Sequence, residues 1–232
     1  MRVLAAGLLL ALSPTAARAQ AYQCRPPSVV EPIPRIVPDG PPSRAAISGY
    51  TLSASWSPDY CKMSGDTSSL QCSGRNGRFG FVLHGLWPQS ARGASPQWCA
   101  QAPTPAPEVL RRNLCMSPSA RLLAREWAKH GTCMAKNPAQ YFNVGAILWR
   151  SIRWPDADRL SLRQDLTAGD LRRAFVAENP AWRTEQIGLE TSRSGWLRAL
   201  RLCYSQRFLP TRCDRRGFGP ADAAPLRIWR GL

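Results

Sequence analysis

The tightest constraint on this 232-residue chain is its eight cysteines, Cys24, Cys61, Cys72, Cys99, Cys115, Cys133, Cys203 and Cys213. An even number suits four disulfides if the chain leaves the reducing cytosol, and the amino terminus carries the means. Arg2 precedes an apolar run from Val3 to Leu12, and Ala17-Arg18-Ala19 stands before Gln20, the three-part pattern of a cleaved export signal. Residues 1–19 are therefore expected to be removed, with the mature chain beginning at Gln20 and destined for a periplasm or the exterior. The run falls short of the ~20 apolar residues that span a bilayer, and no later stretch reaches that length, so no membrane anchor is expected. Eight cysteines allow ~105 pairings. Short loops favour Cys61 with Cys72 and Cys203 with Cys213, and spacing does not choose among the others. A zinc site would compete for these thiols, but the chain has no C-x2-C pair, and no metal or other cofactor is expected.

Without the signal, roughly 210 residues remain, enough for one core and one domain. Nothing in the chain implies a protein partner, and a monomer is expected. Loss of Arg2 and Arg18 leaves 29 basic residues against 15 acidic ones, an excess of +14. Only Lys62, Lys129 and Lys136 are lysines. Arginine forks match phosphate oxygens in pairs, which points to a polyanionic partner such as nucleic acid. A basic surface that serves solubility would look the same by charge alone.

Seven prolines between Arg25 and Pro42 exclude helix and interior strand, so residues 20–45 read as an extended arm ahead of a domain at 46–232. Gly49 to Trp56 has strand character, and Pro58 to Gly77 reads as a loop. Arg78 to Leu83 is apolar on both faces, as in a central strand of a covered sheet. It should end at His84, with Gly85 and Pro88 turning the chain at the sheet edge. A helix is predicted from Pro118 to His130, with Ser117 as N-cap, Pro118 in the first turn and Gly131 as the carboxyl-terminal cap. Leu123 and Trp127 would form its buried stripe. Pro138 to Trp149 and Ala168 to Ala177 pattern as helices and Trp196 to Tyr204 as a strand. Strands and helices mix without a βαβ repeat, which predicts an α+β fold in a single domain, a mostly antiparallel central sheet packed by helices.

The chain has two histidines, His84 and His130. Glu126 stands four residues before His130, Lys129 three after Glu126, and Arg125 four before Lys129, so one helix face would carry a carboxylate, an imidazole and cations. The same spacing suits a solvated, salt-bridged face. A chemical reading needs a substrate with its own nucleophile, and RNA has one in the 2'-hydroxyl. Two imidazoles near their ordinary pKa of ~6.5 can take that proton and protonate the departing 5'-oxygen. Cations can stabilise the phosphorane charge between those steps.

His84 to Gln89 (HGLWPQ) and Glu126 to Cys133 (EWAKHGTC) resemble the two active-site segments of the ribonuclease T2 family. Tyr50 to Cys61, Tyr141-Phe142 and Leu200 to Tyr204 are similar to the family too. The resemblance implies an endoribonuclease that cleaves single-stranded RNA without a metal, through a 2',3'-cyclic phosphate. It implies His130 as the base, His84 as the acid, and Glu126 and Lys129 as transition-state stabilisers, with Trp87 stacking on a base. It also implies a Cys99–Cys133 bridge and accommodates Cys203–Cys213, which leaves Cys24 for Cys115. Two positions depart from the pattern. Arg125 stands where many members have a third, phosphate-binding histidine, and Gln89 where some have an acidic residue used in base selection. A cationic RNA-binding protein that keeps the fold without catalysis is the alternative from another class, and a metal-dependent phosphodiesterase built on His84, Glu126 and His130 is a third.

Overall fold

The computed structural model describes residues 21–230, so the expected export segment and its boundary at Gln20 lie outside the described residues. A four-stranded sheet organises the chain, in the order β4-β2-β6-β5, with every neighbouring pair antiparallel. β2 is Gly49–Trp56, β4 Phe81–Gln89, β5 Ile187–Thr191 and β6 Leu197–Ser205. Two short strands, β1 (Ala21–Tyr22) and β3 (Arg78–Phe79), pair beside it.

Side chains alternate across a strand, and here the alternation divides core from site. Leu52, Ala54 and Trp56 of β2 are buried in the hydrophobic core, whereas Thr51, Ser53 and Ser55 face the other way, with Cys203, Arg201 and Ala199 beside them in register. α4 (Pro138–Arg150) and α6 (Ala168–Glu178) add Tyr141, Phe142, Leu148, Leu171 and Phe175 to this core. An aromatic line, Trp56–Phe81–Trp154–Phe175–Trp182–Tyr204, runs through it with ring centroids 4.9 to 6.3 Å apart, within the range where offset and edge-on pairs attract.

Three sequence expectations are corrected. The strand predicted to end at His84 continues as β4 to Gln89, and β4 is an edge strand, not a central one. An edge tolerates Pro88, which has no N–H to give. The free edge is covered by tertiary contacts: Leu83 N–H donates to the Met116 carbonyl at 2.8 Å, and the Tyr141 hydroxyl accepts from Leu86 N–H and donates to its carbonyl. The segment read as a loop from Pro58 begins instead with α1 (Ser57–Ser64), which has Pro58 in its first turn and Gly65 at φ 64° closing its end. Only Gly fits such a cap without strain. Finally, α3 spans Ala120–Lys129, later than predicted. Ser119, not the buried Ser117, is its N-cap and accepts from Leu122 N–H, and the chain leaves through a 3-10 turn at Gly131–Cys133. Gly131 is there for space: a Cβ would come 2.4 Å from the Trp127 ring.

The shorter helices are α2 (Pro107–Asn113), α5 (Ala157–Leu160) and α7 (Arg215–Phe218). Four disulfides, Cys24–Cys115, Cys61–Cys72, Cys99–Cys133 and Cys203–Cys213, tie loops to this frame. Residues 23–48 form no helix or strand, only a bridge between Ser43 and Gln97.

Arg172 of α6 is fully buried, at 0% exposure. It donates to the carbonyls of Ile187, Phe218 and Pro220 and pairs with Asp222, so one guanidinium joins helix, edge strand and carboxyl-terminal segment. Lysine cannot reproduce that fork. Arg172→Lys is expected to lower unfolding free energy by about 2–4 kcal/mol, because it strands buried carbonyls. Urea denaturation checks this, and an unchanged midpoint would contradict it.

Candidate active site

His84 owes its position to an irregularity in β4. Pairing with β2 passes from Ser53↔Gly85 to Ala54↔Leu83, so His84 is the extra residue of a β-bulge. Bulges re-aim a side chain, and this one places the imidazole beside Ser55, whose Oγ lies 3.1 Å from Nδ1. The opposite wall comes from α3. Its carboxyl end is docked by Trp98 N–H, which donates to the Lys129 carbonyl at 2.7 Å, and by the Cys99–Cys133 bridge one turn farther on.

Glu126 connects the two walls. The helix face whose spacing also suits solvation is closed at this point, since Glu126 is 2% exposed. Oε1 lies 3.7 Å from His84 Nε2 and Oε2 lies 4.0 Å from His130 Nε2, so the two imidazoles flank one carboxyl group. Trp87 Nε1 donates to Oε2 at 2.7 Å. The Trp87 ring stands between the histidines, 5.4 Å from His84 and 5.8 Å from His130 by ring centroid. Gly85 makes room: a Cβ there would come 2.1 Å from Glu126 Oε2 and 2.7 Å from Trp87 Nε1.

Burial governs the protonation states. It raises Glu126 to about 7, against the Trp87 hydrogen bond and the charges of Arg125 and Lys129, which act the other way. It lowers His130 to about 3, and Lys129 and Arg125 push in the same direction. His84 is lowered to about 4, again by burial first, with Glu190 opposing and Arg125 and Arg201 assisting. The two rings differ in their charged neighbours: Glu190 opposes the lowering of His84, whereas Lys129, Arg125 and His84 all add to that of His130.

The structure brings His84, Trp87, Arg125, Glu126, Lys129 and His130 together. Gln89 lies two residues beyond Trp87 on β4, where its Oε1 accepts from Ser95, with no contact to either imidazole. Among the described residues no cluster of three or more His, Cys, Asp or Glu is arranged to hold a metal ion. Other residues enter that sequence reasoning passed over. Arg201 pairs with Glu190 and lies 6.0 Å from the Trp87 ring; alternation along β6 could have placed Arg201 on the Ser53 face, but only register puts it beside His84. Asp39, on the proline-rich arm, is bonded to both Arg125 and Lys129, and no local pattern in the sequence signals that contact.

The chain is similar to known proteins in both sequence and fold. The sequence profile of the Ribonuclease T2 family matches residues 48–157, from the start of β2 through α3 and α4. A probable ribonuclease of Haemophilus influenzae is 30% identical over 190 residues, covering 76% of this chain and 65% of that protein. A ribonuclease of Aeromonas hydrophila is 35% identical over 113 residues, covering 49% of each. The chain thus matches less than two thirds of the length of either relative. Among solved structures, trichomaglin, an S-like ribonuclease, superposes with a TM-score of 0.62 at 19% identity, covering 79% of this chain and 98% of its own. RNase NT, solved with 5'-AMP, does so at 0.57 and 20% identity, covering 78% and 98%. Sequence profile, relatives and fold all make the chain similar to the ribonuclease T2 family.

Proposed function

We propose that this protein is an endoribonuclease that cleaves single-stranded RNA by metal-independent transphosphorylation, with residues 46–232 as the catalytic domain. The observation that carries the reading is the pair of imidazoles held on either side of one buried carboxyl group. His130 Nε2 accepts the 2'-hydroxyl proton as the 2'-oxygen attacks phosphorus, and His84 protonates the 5'-oxygen as the P–O5' bond breaks. A 2',3'-cyclic phosphate results, and water opens it by the reverse proton transfers. Lys129 and Arg125 neutralise the phosphorane oxygens, a task that needs preorganised charge in a partly dry site. Glu126 and Trp87 fix both rings, and Trp87 and Gln89 are the candidate contacts to the bases. Lys129 and Arg125 beside His130 favour its neutral form, which suits it to act as the base. Four disulfides and a mature start at Gln20 fit an exported protein, periplasmic or secreted.

RNA incubated with the protein in excess chelator should still be cut, leaving cyclic-phosphate ends, whereas His84→Ala and His130→Ala should each lower kcat/KM by about 10²-fold or more, as loss of one proton transfer does. Binding without cleavage would point to the non-catalytic alternative, and a requirement for added metal to the third reading. In the free enzyme, deprotonation of His84 removes the acid above about 4 and protonation of His130 removes the base below about 3. A kcat/KM profile should therefore peak well on the acid side, with kcat shifted upward because bound phosphate raises both rings; a kcat/KM maximum at neutrality or above contradicts the assignment. Gly85→Ala should fold with a melting temperature lowered by several degrees, because the buried Glu126 carboxyl loses its Trp87 partner, and should lose about 10²-fold in kcat/KM because Glu126 and Trp87 must separate.

A further inference from the structure

Arg125 and Lys129 do not face open solvent. Arg125 donates to Asp39 Oδ2, and Lys129 Nζ donates to Oδ1 at 2.9 Å and Oδ2 at 3.2 Å. A carboxylate held by a guanidinium and an ammonium has the contact set of a phosphate using two non-bridging oxygens. We propose that Asp39 occupies the phosphate seat of the RNA-free protein as a built-in substitute, and that an RNA phosphate displaces it on binding. The inference rests on the ribonuclease reading of the site.

The arm is anchored at both ends and again where Val30 and Ile33 pack on the core, and it stands off only in the stretch next to Asp39. Cys24 is bridged to Cys115. At the other end Ser43 pairs with Gln97, Gln97 Nε2 donates to the Pro41 carbonyl, and Arg44 Nε donates to the Cys99 carbonyl. Because Trp98 is itself docked on the end of α3, these anchors deliver Asp39 to the helix without further contacts. Just before Asp39 the arm stands off: Arg35 and Ile36 face Ala124 and Ala128 across a cavity of about 530 Å³, and Val37 is exposed. Asp39 itself is 45% exposed. A small outward movement of residues 35–40 therefore frees the seat.

Competition explains the contact better than positioning does. Lys129 already lies 5.7 Å from the Trp98 ring, and Arg125 lies 3.6 Å from Glu126 Oε1, so each cation has a second anchor. The two cations hold the Asp39 carboxyl near 2, with its hydrogen bond from Lys129 the largest cause. It stays ionised at any ordinary pH, and displacement by a stronger anion, not protonation, empties the seat. Its charge already acts on Glu126 as a phosphate charge would, raising it.

Half-exposed ion pairs are weak, so the substitute should cost RNA only a modest factor. Asp39→Asn is expected to lower KM for single-stranded RNA by roughly three- to tenfold with kcat unchanged, and to tighten competitive inhibition by inorganic phosphate by the same factor. Asp39→Glu, which keeps the charge, should stay near wild type. A raised KM or a lowered kcat in Asp39→Asn would show that Asp39 positions the cations, and equal phosphate affinity in wild type and Asp39→Asn would show that the seat is elsewhere; either overturns the proposal. Phosphate affinity is also measured directly by calorimetry, so a protein that never cleaves RNA would sink the ribonuclease reading while the Asp39 comparison still gives its own answer.

Discussion

A carboxyl group withdrawn from water needs partners, and Glu126 has one strong one, the Trp87 indole N–H at 2.7 Å. That bond joins the edge strand β4 to helix α3, and the site depends on it. Gly85 must lack a side chain for it to form, and the bulge that skips His84 puts Gly85 opposite Ser53 and swings the imidazole toward the carboxyl. Tyr141 secures the same stretch from the core side by satisfying both backbone groups of Leu86. The strand edge would otherwise be open to other pairing.

Burial costs Glu126 its ordinary acidity and both histidines their ordinary basicity. A helix carboxyl end and a neighbouring Glu would each favour a protonated His130, but desolvation and the charges of Lys129 and Arg125 outweigh them. The resting site is thus short of protons on its imidazoles and rich in fixed cations. A polyanion bound there reverses both conditions.

Asp39 extends this logic to the resting site. Two cations about one helical turn apart in a half-dry cleft attract any anion, and a proline-stiffened arm pinned by a disulfide and by the Ser43–Gln97 bridge supplies one from the chain itself. The other large buried charge, Arg172, shows the contrasting solution. It is satisfied on every side and so serves the frame alone.

The strand at Gly49–Trp56, the helices beginning at Pro138 and Ala168, and the α+β class were legible in the sequence because alternation, capping residues and proline placement are local signals. So was the set of residues that meet at the candidate site, since HGLWPQ and EWAKHGTC each carry several of them in a short window. The helix after Ser57 and the run of β4 past Pro88 were not, because both depend on what covers them: a proline suits a first helical turn or an exposed sheet edge, and only packing says which is present. What the sequence by itself determined is the inventory, namely two histidines, one carboxylate, a surplus of arginine and paired cysteines. Tertiary structure alone decided that Glu126 is buried, that burial of the two imidazoles lowers them both, and that Asp39 meets Lys129 across 90 positions of chain. Desolvation and long-range ion pairing depend on distances through space, and spacing along the chain does not encode them.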